Sequence, residues 1–290
     1  MKLNAQLKED TGYSWVMARM EPASPFGHAL VRAPRWYGPG EEGQLEEELS
    51  RVEALRTLLD SGEPALDSIT HILSEFHDIR NSLKRPTSAP MDEVELFEVK
   101  HFLIHLERLA QTYAEIPALE GLEIRPMTES LNLLDPSGRR LPAFTVENAF
   151  EPALERVREE KALVEGLLRQ TEKKGRDDLM ARRRELVRKE DRLELEARKR
   201  LTMALLRERD TFLASMEAIG RLDLLLAKAR LARRFYCCRP EIVDKPRVEA
   251  ADMVHPEVAD HLRERGAAFT SVSITLERGA TVITGANMGG

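Results

Sequence analysis

The feature that most constrains the fold is a stretch over residues 177–234 that contains no proline and a single glycine, Gly220. Apolar residues recur within it at intervals of seven, a spacing typical of a helix that packs along one stripe, as in a coiled coil. These residues are Leu179, Leu186 and Leu193, then Leu205, Phe212, Ile219 and Leu226. A continuous helix of about 58 residues would be roughly 87 Å long at 1.5 Å per residue.

A second predicted helix precedes this stretch. Apolar residues recur at helical spacing over residues 147–170, and Gly175 is the turn signal between the two helices. The pair predicts a lever hairpin over residues 147–236 that returns to a helical core, with its tip near residues 173–178. Because the first helix is less than half as long as the second, we expect the second to pack also on the helices within residues 41–113.

The first half of the chain carries three further amphipathic patterns. They cover residues 41–60, 64–84 and 92–113. Asp92 and Glu95 have the spacing of a capping box at the start of the third helix. Prolines and glycines interrupt the remaining parts, so only short elements are expected there. We therefore predict a helical core over residues 1–146.

After residue 236 the pattern changes to short apolar runs between turn-forming residues, which is typical of strands. The predicted strands are residues 247–253, 268–276 and 281–284. Residues 237–290 are thus expected to be the first strands of a second unit. The expected fold class is mainly α, with a multihelical body and a long two-helix lever arm, followed by a short, incomplete β segment.

Charge and cysteine content exclude several classes of protein. With 44 basic and 50 acidic residues the net charge is -6, so the chain is no polycation that binds nucleic acid indiscriminately. No run of about 18 apolar residues could span a bilayer, and we expect a cytoplasmic protein with no membrane partner. The two cysteines are the neighbours Cys237 and Cys238, which form no disulfide framework or structural zinc site and are expected to be buried thiols.

Histidines and carboxylates suggest one weak metal pattern. Glu98, His101 and His105 share a helical face, and Glu-x-x-His occurs in carboxylate-bridged metal sites. Such a site needs a second Glu-x-x-His and further carboxylates on facing helices, which the sequence does not offer. We therefore expect no metal site, and no nucleophile signature predicts a catalytic residue.

The C-terminal residues carry the most specific signal, because an apolar strand runs into a glycine-rich loop. Gly285 and Gly290 have the G-x-x-x-x-G spacing of a phosphate-binding loop, whose backbone N–H groups surround phosphate oxygens. A glycine-rich turn without a ligand is the alternative. The predicted nucleotide-binding residues are Gly285, Ala286, Asn287, Met288, Gly289 and Gly290.

Residues 283–290 closely resemble the phosphate loop of the MutS family of ATPases, with Ala286 in place of the usual proline. Tyr236, Arg239 and Pro240 resemble the segment that leads into that ATPase domain. The pair that begins at His255 resembles its H-P pair, and the order and spacing of the three matches agree.

Three looser matches extend the resemblance upstream. Residues 220–223 are similar to the end of a family helix, residues 24–27 resemble the opening of the MutS core, and Asp78 with Ile79 and Arg85 resembles a helix of that core. By this resemblance the chain is the core and lever region plus the first strands of the ATPase domain. The family's mismatch-reading and connector domains, and the DNA-touching clamp at the lever tip, have no counterpart here.

The resemblance implies that the intact parent protein binds ATP and Mg²⁺ and forms a homodimer through its ATPase domain. The phosphate-binding lysine would follow Gly290, so this chain is expected to bind no cofactor and to be inactive as an ATPase. The implied function is to couple ATP binding and hydrolysis to gripping DNA in mismatch repair or recombination. The alternative is a MutS-like ATPase that remodels a protein partner, such as a cobalamin-dependent aminomutase; the missing clamp and the acidic net charge favour it.

Basic residues near the predicted lever tip are candidates for contact with DNA or a partner. They are Lys173, Lys174, Arg176, Arg182, Arg183 and Arg184. Acidic residues, among them Asp177, Asp178 and Glu185, lie three or four positions away and could pair with them along a helix. A solvated, internally paired face is therefore the other interpretation.

Overall fold

The computed structural model describes residues 4–86, 88–170, 172 and 176–282. This part of the chain is mainly helical, with a small two-stranded antiparallel sheet, which confirms the mainly α class. The helices are α1 (Ala5–Asp10), α2 (Tyr13–Met17), α3 (Pro25–Arg32), α4 (Glu42–Ser61), α5 (Pro64–Ser74), α6 (Arg80–Leu83), α7 (Glu93–Tyr113), α8 (Thr128–Leu134), α9 (Pro152–Gln170), α10 (Arg176–Arg207), α11 (Arg209–Arg234) and α12 (Pro256–Glu264). Within these residues no helix is both long and apolar enough to cross a membrane.

The chain divides into two compact units. The described residues of the first unit lie in the range up to Pro22, in His28–Glu63 and from Leu224 onward. The second unit consists of Ala23–Gly27 and Pro64–Asp223. The division does not test the domain boundaries predicted after residues 146 and 236, which stay predictions.

In the first unit, α4 packs beside the last turns of α11. Lys228 forms an ion pair with Glu48, and the Arg233 guanidinium donates to the Leu59 carbonyl oxygen at 2.8 Å. The Trp15 ring of α2 lies 5.6 Å from the Phe235 ring, measured between centroids. Helix α4 confirms the helix predicted over residues 41–60.

In the second unit, α7 is the central helix, and its predicted capping box is present. The Asp92 carboxylate accepts from the Glu95 N–H at 2.8 Å, and the Glu95 carboxylate accepts from the Asp92 N–H at 3.0 Å. The Phe102 ring is fully buried and lies 5.3 to 6.2 Å from three other phenylalanine rings, measured between centroids. These rings belong to Phe26, Phe76 and Phe212.

The prediction of a single helix over residues 64–84 is wrong, because the helix is broken in the middle of this range. Helix α5 ends at Ser74, and the chain becomes helical again only in α6. The Asp78 carboxylate accepts from the Arg80 backbone N–H at 3.0 Å, a local bond of the kind that competes with a continuous helix. The break also lets Phe76 enter the core, where it is 2% exposed.

The heptad stripe is confirmed as a buried seam. In the hairpin of α9 and α10, Leu186 forms a cluster with Val157 and Val164, and Leu179 and Leu193 pack against it. The later members of the stripe are all buried; they are Leu205, Phe212, Ile219 and Leu226.

The long helix is interrupted once, at Glu208, where one uninterrupted helix was predicted. The Glu208 N–H bonds to the Leu205 carbonyl oxygen, three residues back, at 3.1 Å. Next to it, the Arg209 side chain donates to the Leu83 carbonyl oxygen at 2.6 Å. The Thr202 hydroxyl accepts from the Met91 N–H at 2.8 Å. These contacts agree with the expectation that the long helix packs on more than its hairpin partner.

The sheet consists of β1 (Val248–Met253) and β2 (Val272–Leu276). The strands are antiparallel, with a register irregularity after Ala250, where Asp252 has a positive φ of 50°. They confirm the first two predicted strands, the second of which is shorter than predicted. Of the third, residues 281–282 are not in a strand and the rest lies outside the described residues. Helix α12, between β1 and β2, was not predicted.

Candidate functional site

Part of the predicted site lies outside the described residues. This applies to the whole predicted glycine-rich loop, Gly285, Ala286, Asn287, Met288, Gly289 and Gly290, and to Lys173 and Lys174 of the predicted lever tip. The predictions for these residues therefore stay predictions.

Two of the predicted basic residues of the hairpin, Arg182 and Arg183, form ion pairs with glutamates. The Arg182 guanidinium contacts Glu160 of α9 at 3.0 Å and Glu185 of its own helix at 2.7 Å. Arg183 contacts Glu165 of α9 at 2.8 Å. The hydrogen bonds that Arg182 donates to Glu160, and then to Glu185, raise its pKa above the usual value. The pairing predicted along α10 is thus present, but most of it runs across to α9.

Arg176 and Arg184 complete the described basic set. Arg176 is the first residue of α10 and is exposed. Arg184 is exposed, and the described residues provide it with no ion pair. A ligand approaching this face would therefore meet Arg184 without first displacing a glutamate.

A more enclosed ionic cluster lies between the same two helices. The Glu190 carboxylate accepts from Arg158 at 2.9 Å and also binds Lys161. Arg158 in addition donates to Glu194 and to the Val146 carbonyl oxygen, each at 2.8 Å. Burial alone would raise the pKa of Glu190, but the hydrogen bonds from Lys161 and Arg158 outweigh it and hold the pKa below its usual value. This cluster fixes the alignment of α9 against α10.

Two segments that the family resemblance matched separately meet in the second unit. The buried Asp223 carboxylate accepts from the Ala23 N–H at 2.9 Å, from the Ser24 N–H at 2.7 Å and from the Ser24 hydroxyl at 2.6 Å. The Ser24 hydroxyl in turn accepts from the Gly27 N–H at 3.0 Å. The start of α3 is therefore joined to α11 by a buried, hydrogen-bonded carboxylate.

Gly220 lies one helical turn before Asp223 at the same junction. A Cβ atom at this position would lie 3.1 Å from the Phe26 backbone carbon and oxygen. Backbone atoms cannot swing aside as a flexible side chain can, so a side chain here would push the two segments apart. The junction thus explains both the glycine and the aspartate of the loosely matched residues 220–223.

The residues that resemble the approach to an ATPase domain lie in the first unit. Tyr236 has a positive φ of 53° and is 93% exposed, and Arg239 pairs with Glu46 of α4. Cys237 and Cys238 are exposed, so the prediction of buried thiols is wrong. The physical reason is that α11 ends at Arg234 and Tyr236 has a left-handed backbone conformation, so the two cysteines lie in the irregular segment after the helix and not on a packed helical face.

His255 of the H-P pair begins α12. Its Nδ1 accepts from the Val258 N–H at 3.4 Å, and the following proline occupies the first turn of the helix. Both features stabilise a helix N-terminus. They were signals for α12 that the strand-based prediction of this region overlooked.

A histidine cluster forms beside α7, with partners that the sequence did not indicate. The His101 ring lies between those of His105 and His77, at centroid distances of 4.1 and 5.2 Å. The carboxylate of Glu98, three residues before His101 on α7, contacts His77 Nδ1 at 2.7 Å. Glu75 from the segment after α5 completes the cluster with His101 and His105.

Two histidines of the cluster, His101 and His105, have pKa values below the usual one. Burial lowers the pKa of His101, and the neighbouring His105 and His77 lower it further. Burial also lowers the pKa of His105. Glu75 and His77 were missed because they lie on a different element from His101, and no spacing within one helix could reveal them.

No protein-family model matches the chain, and a search of curated proteins finds no match.

Proposed function

We propose that this chain is the core and lever region of a MutS-like ATPase, in which the hairpin of α9 and α10 grips DNA under the control of nucleotide binding. The observation that carries the proposal is the helical connection from the hairpin to Tyr236. Helices α10 and α11 follow one another with an interruption only at Glu208, and they lead from the hairpin arginines to the residues that resemble the approach to an ATPase domain.

The proposed mechanism needs a connection that transmits displacement. A buried seam of large apolar side chains stiffens such a helix, because their close packing resists bending. The Asp223 junction with Ser24 supports the same proposal, since it anchors α11 in the second unit. In the proposed ATPase, ATP with Mg²⁺ would bind at a site that includes residues 285–290, and a homodimer would bring two levers around the DNA.

The charges on the hairpin determine how DNA would be held. Arg184 is available to a phosphate directly, whereas Arg182 and Arg183 must exchange a glutamate for a phosphate. Contacts to phosphate release counterions, so the affinity should fall steeply with salt. We expect modest affinity at low salt and a strong loss of binding between 50 and 200 mM salt, an interval over which about 6 to 10 phosphate contacts cost roughly 10³- to 10⁵-fold.

The test is fluorescence anisotropy of labelled homoduplex, mismatched and branched DNA at several salt concentrations. A variant that reverses three charges, Arg182→Glu with Arg183→Glu and Arg184→Glu, should weaken binding. It should also flatten the salt dependence, by about one in the logarithmic slope for each phosphate that the variant no longer binds. The matched control is Arg221→Glu on α11, because Arg221 is also exposed and also paired with a glutamate, Glu217. Equal binding by the triple variant and the control would contradict the proposed DNA contact.

A second candidate function is the remodelling of a protein partner. The specific observation in its favour is that Glu160 and Glu165 form ion pairs with Arg182 and Arg183. These pairs reduce the positive potential of the hairpin surface. The same titrations distinguish the two functions. Micromolar or weaker binding to all three DNAs, with little dependence on salt, would favour a protein partner over DNA.

A further inference from the structure

Three potential metal ligands converge beside α7. One nitrogen of His101, one nitrogen of His105 and one carboxylate oxygen of Glu75 all lie within 4.8 Å of one another. The two histidines are four residues apart on one helix, so their rings lie on the same face. Two zinc–ligand bonds of about 2.0–2.2 Å at a tetrahedral angle place ligand atoms about 3.4 Å apart. Small side-chain rotations are therefore enough to bring the three atoms to a common ion.

His105 is oriented in the way that metal-binding histidines usually are. Its Nδ1 lies 2.8 Å from the His101 backbone carbonyl oxygen, which can only accept a hydrogen bond. Nδ1 therefore carries the proton, and in the neutral ring the lone pair is on Nε2. A histidine ligand commonly donates its other ring N–H to a carbonyl oxygen in this manner, which fixes the tautomer and the ring orientation.

His101 supplies a second, independent observation. Its Nδ1 is buried and has no hydrogen-bond partner among the residues that the structure describes. A buried polar atom without a partner is unfavourable, and such atoms in folded proteins call for an explanation. Metal binding at the His101 ring is an explanation that agrees with the positions of Glu75 and His105.

From this geometry we propose that Glu75, His101 and His105 bind one divalent transition-metal ion of the zinc class. Two imidazoles and one carboxylate suit zinc, whereas calcium and magnesium prefer oxygen ligands throughout. Three protein ligands leave a fourth position for water or another ligand. Glu75 and His101 are half-buried, so an ion can reach the site from solvent, while His105 is buried. The proposal does not depend on the lever function.

The experiment uses the full chain, freed of metal with a chelator and then titrated with Zn²⁺ in an isothermal calorimeter. We expect one ion per chain with micromolar or tighter affinity. Titration with Co²⁺ should produce visible ligand-field absorption, which reports nitrogen and oxygen coordination directly. Glu75→Gln, His101→Gln and His105→Gln should each weaken Zn²⁺ binding at least tenfold, since even loss of residues that only support ligands costs about 10- to 100-fold.

Two variants serve as controls. His261→Gln removes an exposed histidine of α12, and His77→Phe keeps a ring beside His101 but removes the nitrogens. Both should bind Zn²⁺ as the unaltered chain does. A tenfold loss in His77→Phe would overturn the proposed ligand set, and the same loss in His261→Gln would indicate nonspecific binding and overturn the site itself.

Folding is checked by circular dichroism, because His105 is buried and its replacement can destabilise the chain. If His105→Gln does not fold, Glu75→Gln and His101→Gln decide the matter, since both replace half-buried side chains. Binding of less than one Zn²⁺ per chain would overturn the proposal. Affinity that is unchanged in both of these variants would overturn it as well.

Discussion

Helices α7 and α10 belong to the same unit, yet they are held in place in different ways. Helix α7 buries ten of its 21 residues, and these lie all around the helix. Helix α10 buries six of its 32 residues, mainly along one stripe. An enclosed helix is stabilised chiefly by removal of apolar surface from water, whereas a helix with one buried stripe has less of that stabilisation per residue. We therefore expect the hairpin to open locally at a lower free energy than the body around α7.

Each region also encloses a charge cluster. Beside α7, Lys100 binds the Asp135 carboxylate at 3.1 Å, and both side chains are almost fully buried. Burial would raise the pKa of Asp135, but the hydrogen bonds from the Arg140 N–H and from Lys100 outweigh it and hold the pKa below its usual value. In the hairpin, hydrogen bonds from Lys161 and Arg158 likewise hold the pKa of Glu190 below its usual value. Both regions thus contain a buried charge cluster, and they differ in how much apolar surface is buried around it.

The largest expected effect is that of Phe102→Ala in α7. Phe102 is fully buried among three other phenylalanine rings, so its truncation leaves a cavity that the surrounding side chains cannot fill. We expect a loss of about 3–5 kcal/mol in the free energy of unfolding, measured by denaturant titration. Val94→Ala on the same helix is the control, because Val94 is 67% exposed. A loss below about 1 kcal/mol for Phe102→Ala would show that the body is loosely packed.

A smaller and more local effect is expected for Leu186→Ala in α10. Leu186 is 1% exposed between Val157 and Val164, and its truncation should destabilise the hairpin by about 2–3 kcal/mol. Native-state hydrogen exchange should then accelerate at amides of α9 and α10 but not at those of α7. Leu163→Ala on α9, at 70% exposure, should change neither set. Equal acceleration in α7 would mean that hairpin and body unfold together, which would remove the difference between them.

The smallest effect is expected for Arg182→Gln. The ion pairs of Arg182 with Glu160 and Glu185 are exposed to solvent, where screening and side-chain entropy offset most of the attraction. We expect no measurable change in the thermal midpoint, either alone or combined with Glu160→Gln. A decrease comparable to that of Leu186→Ala would instead show that charge, and not the apolar seam, holds the hairpin closed.

The sequence predicted the apolar seam of the hairpin, but it did not reveal contacts that depend on a local break or on packing between elements. Leu179, Leu186 and Leu193 could be assigned to a seam because heptad spacing places them on one helical face, whatever helix packs against it. The break in the predicted helix 64–84 was not foreseen, since it depends on a local bond from Arg80 to Asp78. The approach of Glu75 to the α7 histidines was not foreseen either, because it arises only through tertiary packing.

The amino-acid sequence by itself determined the longer helices of this protein apart from the breaks after Ser74 and at Glu208, together with the seam of the long helix and the capping box of α7, because each depends on residues within a few turns of one another. Only the tertiary structure decided that Asp223 binds Ser24 and that Glu75 lies beside His101. It also decided the ion pairs that Glu160 and Glu165 form with Arg182 and Arg183. These pairs join separate elements, and burial and hydrogen bonding between elements leave no periodic pattern along the chain.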